Sequence, residues 1–489
     1  MLTHQLVVSN DPPGTLDFGV GVNWFDFLGS GGYFARWEGY PLTAPAFPPL
    51  DDKDSWSLFL QELTRLHPGF IRFGLPPDPV LNADGTLKKD SVHFRRLDIA
   101  AHWCEEHGAL VILDTFVTPA LYEFPVPEGI GTVCVNMAAR DNRVYAREFV
   151  VPLLDHVIAE RGLKAIRYFN PINEPIHYGV YQTPPGGPDV FRHYVEMYRE
   201  MRRAMDDAGL GEIGLIGIDK DLPFDFPVFE YISRGIDIDP FVAAYSIHSY
   251  RGRFDYDGEN PWAPDTDPLR TLADRWTRRL VQYAEGRGKY LLALEVGVFQ
   301  YGARRGNPAG PATAEGALLT AETIVRMINA GVRGALVWSL TNPDTIDGHW
   351  RLIDVRDRRV ERAPHPYSTY GMLMRYAPPG STVRPLVPVE REFPVEFVRG
   401  TLFAGPGGEL NIILINDHPV ESRTVSLALP GDQGTRILHK IVKDRDRLGV
   451  VAPETFGADP ASGAAQIQDT LGPLSLQVYT TSAVRDFSR

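Results

Sequence analysis

The stretch Ala165-Ile166-Arg167-Tyr168-Phe169-Asn170-Pro171-Ile172-Asn173-Glu174-Pro175 is an apolar run that ends on an acidic residue and a proline. A second run of the same kind, Leu291-Leu292-Ala293-Leu294-Glu295-Val296-Gly297, also carries a glutamate near its far end. Short runs rich in aliphatic and aromatic residues read as buried strands. The proline and glycine beyond them mark where each strand gives way to a loop. If both strands belong to one parallel barrel, their C-terminal ends open at the same mouth and the two carboxylates meet there.

Outward from these two runs, eight strand-like segments alternate with amphipathic stretches, the rhythm of repeated βα units. The strands are predicted over residues 18–24, 70–74, 110–116, 165–173, 212–219, 242–250, 290–296 and 333–340. Helices are predicted over 56–66, 94–107, 144–159, 190–208, 272–285 and 317–330, with a short one near 228–234 and an eighth over 366–376 that completes the ring. Gly108, Gly162, Gly209 and Gly331 follow helices, and Asp54, Asp141, Asp189 and Thr313 stand where N-caps belong. The fold class expected is α/β: a (β/α)8 TIM barrel over 16–378, followed by a C-terminal all-β sandwich over 379–489. The texture changes at Pro378-Pro379-Gly380, after which alternating segments such as 395–399, 410–415, 424–429 and 474–480 are split by turn clusters. Residues 1–15, with Gln5-Leu6-Val7-Val8, are expected to lend a strand to that sandwich.

Composition narrows the function classes. Asp and Glu outnumber Lys and Arg by 62 to 49, a formal charge of −13, which opposes binding to phosphate backbones, so nucleic acid is not an expected partner. No apolar run is long enough to span a bilayer, and Met1-Leu2-Thr3-His4-Gln5 opens no basic leader, so a cytoplasmic protein with no membrane partner is expected. The two cysteines, Cys104 and Cys134, fit a reducing compartment, with no disulfide expected between them. Self-association into a homo-oligomer is a further expectation.

The segments after the strands are long and aromatic, whereas several returns on the opposite side are short, so function should lie on the long-loop face. The first such loop carries Phe25, Phe27, Tyr33, Phe34, Trp37 and Tyr40, and later ones bring Tyr178, Tyr181, Phe254, Tyr256, Trp262, Phe299, Tyr301 and Trp350. Aromatic faces stack on the C–H faces of pyranose rings, although most of these residues should simply pack loops onto the rim. Two carboxylates at one mouth suit glycoside hydrolysis, one as proton donor and one as nucleophile. Gly19-Val20-Gly21 and Gly29-Ser30-Gly31-Gly32 form no dinucleotide fingerprint, no Gly-x-Ser-x-Gly elbow is present, and no histidine pair has the i, i+4 spacing of a zinc helix. No cofactor and no metal are therefore implied.

The Asn-Glu-Pro ending the fourth strand, with a glutamate ending the seventh, resembles the clan A glycoside hydrolases. Arg72 ends the second strand where the clan commonly places an arginine, His248-Ser249-Tyr250 at the sixth resembles the His-x-Tyr of family 5, and Trp338 at the eighth resembles the aromatic platform beneath the bound sugar. The appended β-sandwich is similar to families 30, 39 and 51 and to some of family 5. The resemblance implies Glu174 as acid/base and Glu295 as nucleophile. It implies Arg72, Asn173, His248, Tyr250 and Trp338 as substrate-binding or orienting residues, and Trp24 and His177 join that set. On it, Asn173 would bond the sugar 2-hydroxyl, Arg72 and Tyr250 would donate to Glu295, and the charge on Glu295 would raise the pKa of Glu174. The third strand, Leu113-Asp114-Thr115-Phe116, lacks the histidine that many family 5 enzymes carry there. The leading expectation is a retaining exo-β-glycosidase with a carbohydrate substrate. An endo-β-glycanase or transglycosylase with the same glutamates, and a silent carbohydrate-binding barrel, remain alternatives.

Overall fold

The computed structural model describes residues 3–25, 47–125, 136–175, 180–221, 237–251, 268–298, 310–341, 350–356, 358–389, 397–429, 436–444, 448–456, 466–482 and 484. Eight parallel strands close into a barrel: β1 Gly19–Phe25, β2 Phe70–Gly74, β3 Leu110–Asp114, β4 Ile166–Asn170, β5 Gly214–Asp221, β6 Ala244–Arg251, β7 Tyr290–Val298 and β8 Gly334–Val337. All eight overlap the runs read from the sequence. The connecting helices are α1 Lys53–Leu66, α2 Val92–His107, α3 (residues 142–160, with two π turns at Ala146–Val150 and His156–Glu160), α4 Val190–Asp207, α5 Pro268–Glu285, α6 Ala314–Asn329 and α7 Pro364–Tyr376. The predicted short helix near 228–234 lies outside the described residues.

Capping residues fix where the helices begin. Asp141, Asp189 and Thr313 accept backbone N–H bonds from the first turns of α3, α4 and α6. The cap of α1 is Asp52, whose carboxylate accepts from Ser55 N at 3.2 Å, and not Asp54, which sits inside the first turn. An aspartate two residues earlier reaches the same donors, so the helix starts sooner than its apolar pattern indicates. Gly108 ends α2 at φ 69°, a left-handed value that costs glycine little.

Side chains alternate across the barrel wall. The outward residues of the strands join the helices in a large core that includes Val20, Val22, Trp24, Ile71, Phe73, Val111 and Leu113. The inward set divides by height. Phe70, Ile112, Ile216, Ala244, Leu292, Leu294 and Leu336 fill the lower barrel. Toward the C-terminal ends the same rows turn polar, with Arg72 two residues beyond Phe70, Asp114 two beyond Ile112 and His248 four beyond Ala244. An apolar plug thus seals the base, and a charged layer rests on top of it.

Four slips in strand register interrupt the barrel, and two of them lie beside β6. Ile247 pairs with Ala293 while His248 pairs with Glu295, and Ser246 pairs with Ile218 while Ile247 pairs with Lys220. In each case the neighbouring strand contributes an extra residue, which re-aims side chains in the manner of a β-bulge. Glu295 and Asp219 stand at these two slips. Residues 218 and 219 both take positive φ, 51° and 53°, as do Phe116 (65°) and Glu174 (41°) near the same barrel mouth. Such backbone persists where the surrounding structure over-determines it.

The C-terminal part contributes eight strands, and Thr3–Val8 and Gly14–Leu16 two more, to a separate mixed β sheet of ten strands. Thr3–Val8 lies within it, antiparallel to Ser381–Pro388 and parallel to Arg423–Ala428. Its core, with Leu6, Leu386, Ile412, Leu427, Leu438 and Ile467, draws on strands from both ends of the sheet order. The helix α6 packs against this unit, where the buried Glu322 meets Arg326 and Arg399.

Candidate active site

Arg72 is the hub of the barrel mouth. It is fully buried, and its guanidinium donates from Nε to Asp114 Oδ2 at 2.5 Å, from Nη1 to Glu295 Oε1 at 2.8 Å, and from Nη2 to Asp219 Oδ2 and Asn173 Oδ1 at 2.7 Å each. Burial by itself favours the neutral form, but the charges of Asp114, Asp219 and Glu295 outweigh it and hold the guanidinium proton more firmly than usual. A rigid planar fork suits this task better than a point charge. The guanidinium also lies over the rings of Phe25 and Phe116, at 5.2 and 5.7 Å.

Glu295 is gripped from two sides, by Arg72 and by the Tyr250 hydroxyl, which donates to Oε2 at 2.6 Å. Burial pushes its carboxyl up to about 7, with the Glu174 charge adding to the rise and His248, Arg72 and the Tyr250 hydrogen bond opposing it. Trp350 donates from its indole to Val298 O at 2.7 Å and packs beside the Tyr250 ring.

Glu174 approaches from the segment after β4. Its side chain is 19 % exposed against 5 % for Glu295, so it is the more open to solvent of the two. Its Oε1 lies 2.8 Å from His248 Nδ1, while His248 Nε2 lies 2.9 Å from Asp219 Oδ1. Burial lowers the imidazole pKa, but Glu295 and Asp219 outweigh that effect and raise it to about 10, so the ring is cationic at neutral pH. The sequence reading assigns the raised carboxyl to Glu174. The structure surrounds Glu295 with the burial that raises a carboxyl and sets a cation against Glu174.

Beneath these groups lies a layer that the sequence reading did not select. Asp114, Asp219 and Asn170 are all fully buried, and Asn170 Nδ2 donates to Asp114 Oδ2 at 2.8 Å and to Asp219 Oδ2 at 2.6 Å. Burial raises the Asp114 carboxyl to about 6 against the pull of Arg72. For Asp219 the charges of Arg72 and His248 win over burial and hold it at about 2. The signal for both was present: each aspartate closes an apolar run, the same feature that identified Glu295.

The predicted residues Arg72, Asn173, Glu174, His248, Tyr250 and Glu295 thus come together in one hydrogen-bonded cluster. Trp338 stands close by, its ring 4.8 Å from that of Phe25, which in turn lies 5.1 Å from Phe116. Gly74 makes room for this arrangement, because a Cβ there would lie 1.8 Å from the Phe25 ring. Trp24 does not join the site. It points outward into the layer between barrel and α1, stacked on Phe47, edge-on to Phe59 and tilted against Phe73. The period of two explains the correction: the inward residues at the end of β1 are Asn23, which donates to Leu294 O and Val337 O, and Phe25. His177 lies outside the described residues, as do all the named loop aromatics except Phe25, Tyr181 and Trp350.

Glu174, His248 and Glu295 each bring one donor atom to within 4.8 Å of the others, the spacing of a metal-binding trio. An imidazolium whose two nitrogens face carboxylate oxygens of Glu174 and Asp219 offers no lone pair, so in this state His248 is hydrogen-bonded to those two and ion-paired with Glu295 at 3.4 Å. Chemically, the site presents two carboxylates in different surroundings, one deep and clamped by donors, the other half-open beside a fixed positive charge.

No protein-family model matches the chain, and no curated protein matches it in sequence. Solved structures do share its fold. The catalytic domain of the GH30 xylanase C from Talaromyces cellulolyticus is 14 % identical, with 98 % of this chain and 100 % of that one covered at a TM-score of 0.60. SrfJ from Salmonella typhimurium is 13 % identical over 98 % of this chain and 93 % of its own, at 0.64. A glucosidase from Croceicoccus marinus is 12 % identical over 99 % and 100 %, at 0.60. Both parts of the chain lie within these matches.

Proposed function

We propose that this protein is a retaining β-glycoside hydrolase of clan A, with Glu295 as nucleophile and Glu174 as acid/base. The observation that carries the reading is the spacing of the two carboxylates, whose oxygens approach to within 4.8 Å. Retaining enzymes set their carboxyl groups about 5–5.5 Å apart, whereas inverting ones need roughly 6.5–9.5 Å to admit a water. The neighbours named as xylanase and glucosidase support a carbohydrate substrate.

The clamped Glu295 is aimed by Arg72 and Tyr250 and, once ionised, attacks the anomeric carbon. Glu174, more open to solvent, delivers a proton to the leaving oxygen and later takes one from water. Asn173 Oδ1 is engaged by Arg72, which fixes the amide and turns Nδ2 toward the sugar 2-hydroxyl. Trp338, with Phe25 behind it, supplies the platform under the ring. Exo action on short glycosides is supported by the aromatic-rich sequence of residues 25–40, and cytoplasmic location by the free, buried Cys104.

Aryl β-glycosides of glucose, galactose, mannose, xylose and fucose, with α-arabinosides, test the reading. Turnover of one by the wild type with retention of anomeric configuration is expected, together with collapse in Glu295→Gln. Azide should rescue Glu295→Ala to an α-glycosyl azide and Glu174→Ala to a β-glycosyl azide. An inverted first-formed product, or full activity in Glu295→Gln, would overturn it.

A further inference from the structure

Asp219 accepts four hydrogen bonds while fully buried, and its two oxygens serve different partners. Oδ1 accepts from His248 Nε2 at 2.9 Å and from Ser246 Oγ at 2.9 Å, and Oδ2 accepts from Arg72 Nη2 at 2.7 Å and from Asn170 Nδ2 at 2.6 Å. His248 continues from its other nitrogen to Glu174, and Arg72 continues from Nη1 to Glu295. We propose that Asp219 is a positioning residue that orients both glutamates at once, Glu174 through a doubly protonated His248 and Glu295 through Arg72.

The argument is one of donors and acceptors. With Glu174 ionised, both imidazole nitrogens face carboxylate oxygens, and a carboxylate only accepts, so each nitrogen carries a proton and the ring is an imidazolium. A Glu174 that carries its proton on Oε2 still accepts from Nδ1 at Oε1. A neutral ring would leave one nitrogen lone pair against a buried carboxylate. Among the described residues, the charged or titratable groups facing this ring are Glu174 after β4, Asp219 on β5 and Glu295 on β7, whose Oε2 lies 3.4 Å from Nδ1. Arg72 lies one bond further on, through Asp219. The register slip between β5 and β6, with positive φ at residue 219, brings the carboxylate to this point.

The catalytic consequence rests on the glycosidase reading. As Glu174 gives up its proton to the leaving oxygen, the carboxylate left behind meets a positive charge already in place, so nothing must reorganise during the step. A pre-set dipole or charge of this kind acts on the transition state more than on substrate binding.

Asp219→Asn tests the proposal, because either orientation of the amide turns its NH2 toward two existing donors. We expect kcat to fall by about 100-fold or more while KM changes by less than about threefold, and the basic limb of kcat/KM to move down by about one pH unit or more as His248 loses its anchor. A fall in kcat and melting temperature with the basic limb unmoved would overturn the proposal. The 15N resonances of the His248 ring in the wild-type protein provide a readout independent of the variant's folding. Double protonation persisting at pH 8 is expected, and a neutral ring at pH 7 would overturn it. A wild type that cleaves no glycoside yet keeps the imidazolium would refute the glycosidase reading and leave the Asp219–His248 arrangement standing.

Discussion

Arg72 and Glu295, 223 positions apart in the chain, meet inside the barrel through an Nη1–Oε1 hydrogen bond of 2.8 Å, with both side chains shut off from solvent. The same guanidinium holds Asp114 and Asp219, so one cation serves three buried carboxylates. Removing one partner of a buried ion pair strands the other and costs about 3–5 kcal/mol. Arg72→Met should therefore destabilise by at least that much in urea unfolding. Arg72→Lys should recover little of the activity, since an ammonium cannot span the four acceptors of the fork. A lysine variant with near wild-type kcat/KM would contradict the hub.

Tyr250 makes a smaller, separable contribution. Its hydroxyl bond to Glu295 at 2.6 Å is one to an ionisable group, of a kind worth about 1.5–3 kcal/mol. Tyr250→Phe should lower kcat/KM by about 10- to 150-fold. The acidic limb of its pH profile should move up, because the hydrogen bond that opposed the burial of Glu295 is gone. A limb that moves down would contradict the donor role.

The buried charges set opposing pH trends. Asp219, held at about 2 against 3.8 when exposed, contributes stability above pH 3.8 that is lost as pH falls toward 2. His248, raised from 6.5 to about 10, contributes in full below pH 6.5 and progressively less as pH rises toward 10. Glu295 and Asp114 are raised to about 7 and about 6, so the unfolded chain ionises them more readily and stability falls as pH rises from about 4 to 7. Urea unfolding should therefore find the protein more stable at pH 5 than at pH 9. In Glu295→Gln the loss between pH 5 and 7 should be smaller, and an unchanged slope there would show that Glu295 is not the group responsible.

Gly74 tests the packing behind the site. A methyl group at this position would displace the Phe25 ring, which packs against Arg72 and Trp338. Gly74→Ala should cost about 1–3 kcal/mol, as overpacking does, and raise KM if the Trp338 platform shifts with Phe25. Unchanged stability and KM would place the ring elsewhere.

The sequence alone determined the order of strands and helices, since a period of two, a period of 3.6 and the caps between them are local properties of the chain. It also pointed to Glu174, Glu295, Arg72, His248 and Tyr250, because a polar residue ending an apolar strand is conspicuous without a structure. Tertiary structure decided which way the strand-end side chains face. Trp24 and Phe25 differ by one position, and the pleat sends the first to the helix layer and the second to the mouth. The one-residue register slips beside Glu295 and Asp219 depend on pairing with β6, a contact distant in sequence, and leave no local trace. The charge states were likewise beyond the sequence: burial and the arrangement of Arg72, Asp219 and His248 determine which carboxyl is held ionised, and those are properties of the closed barrel.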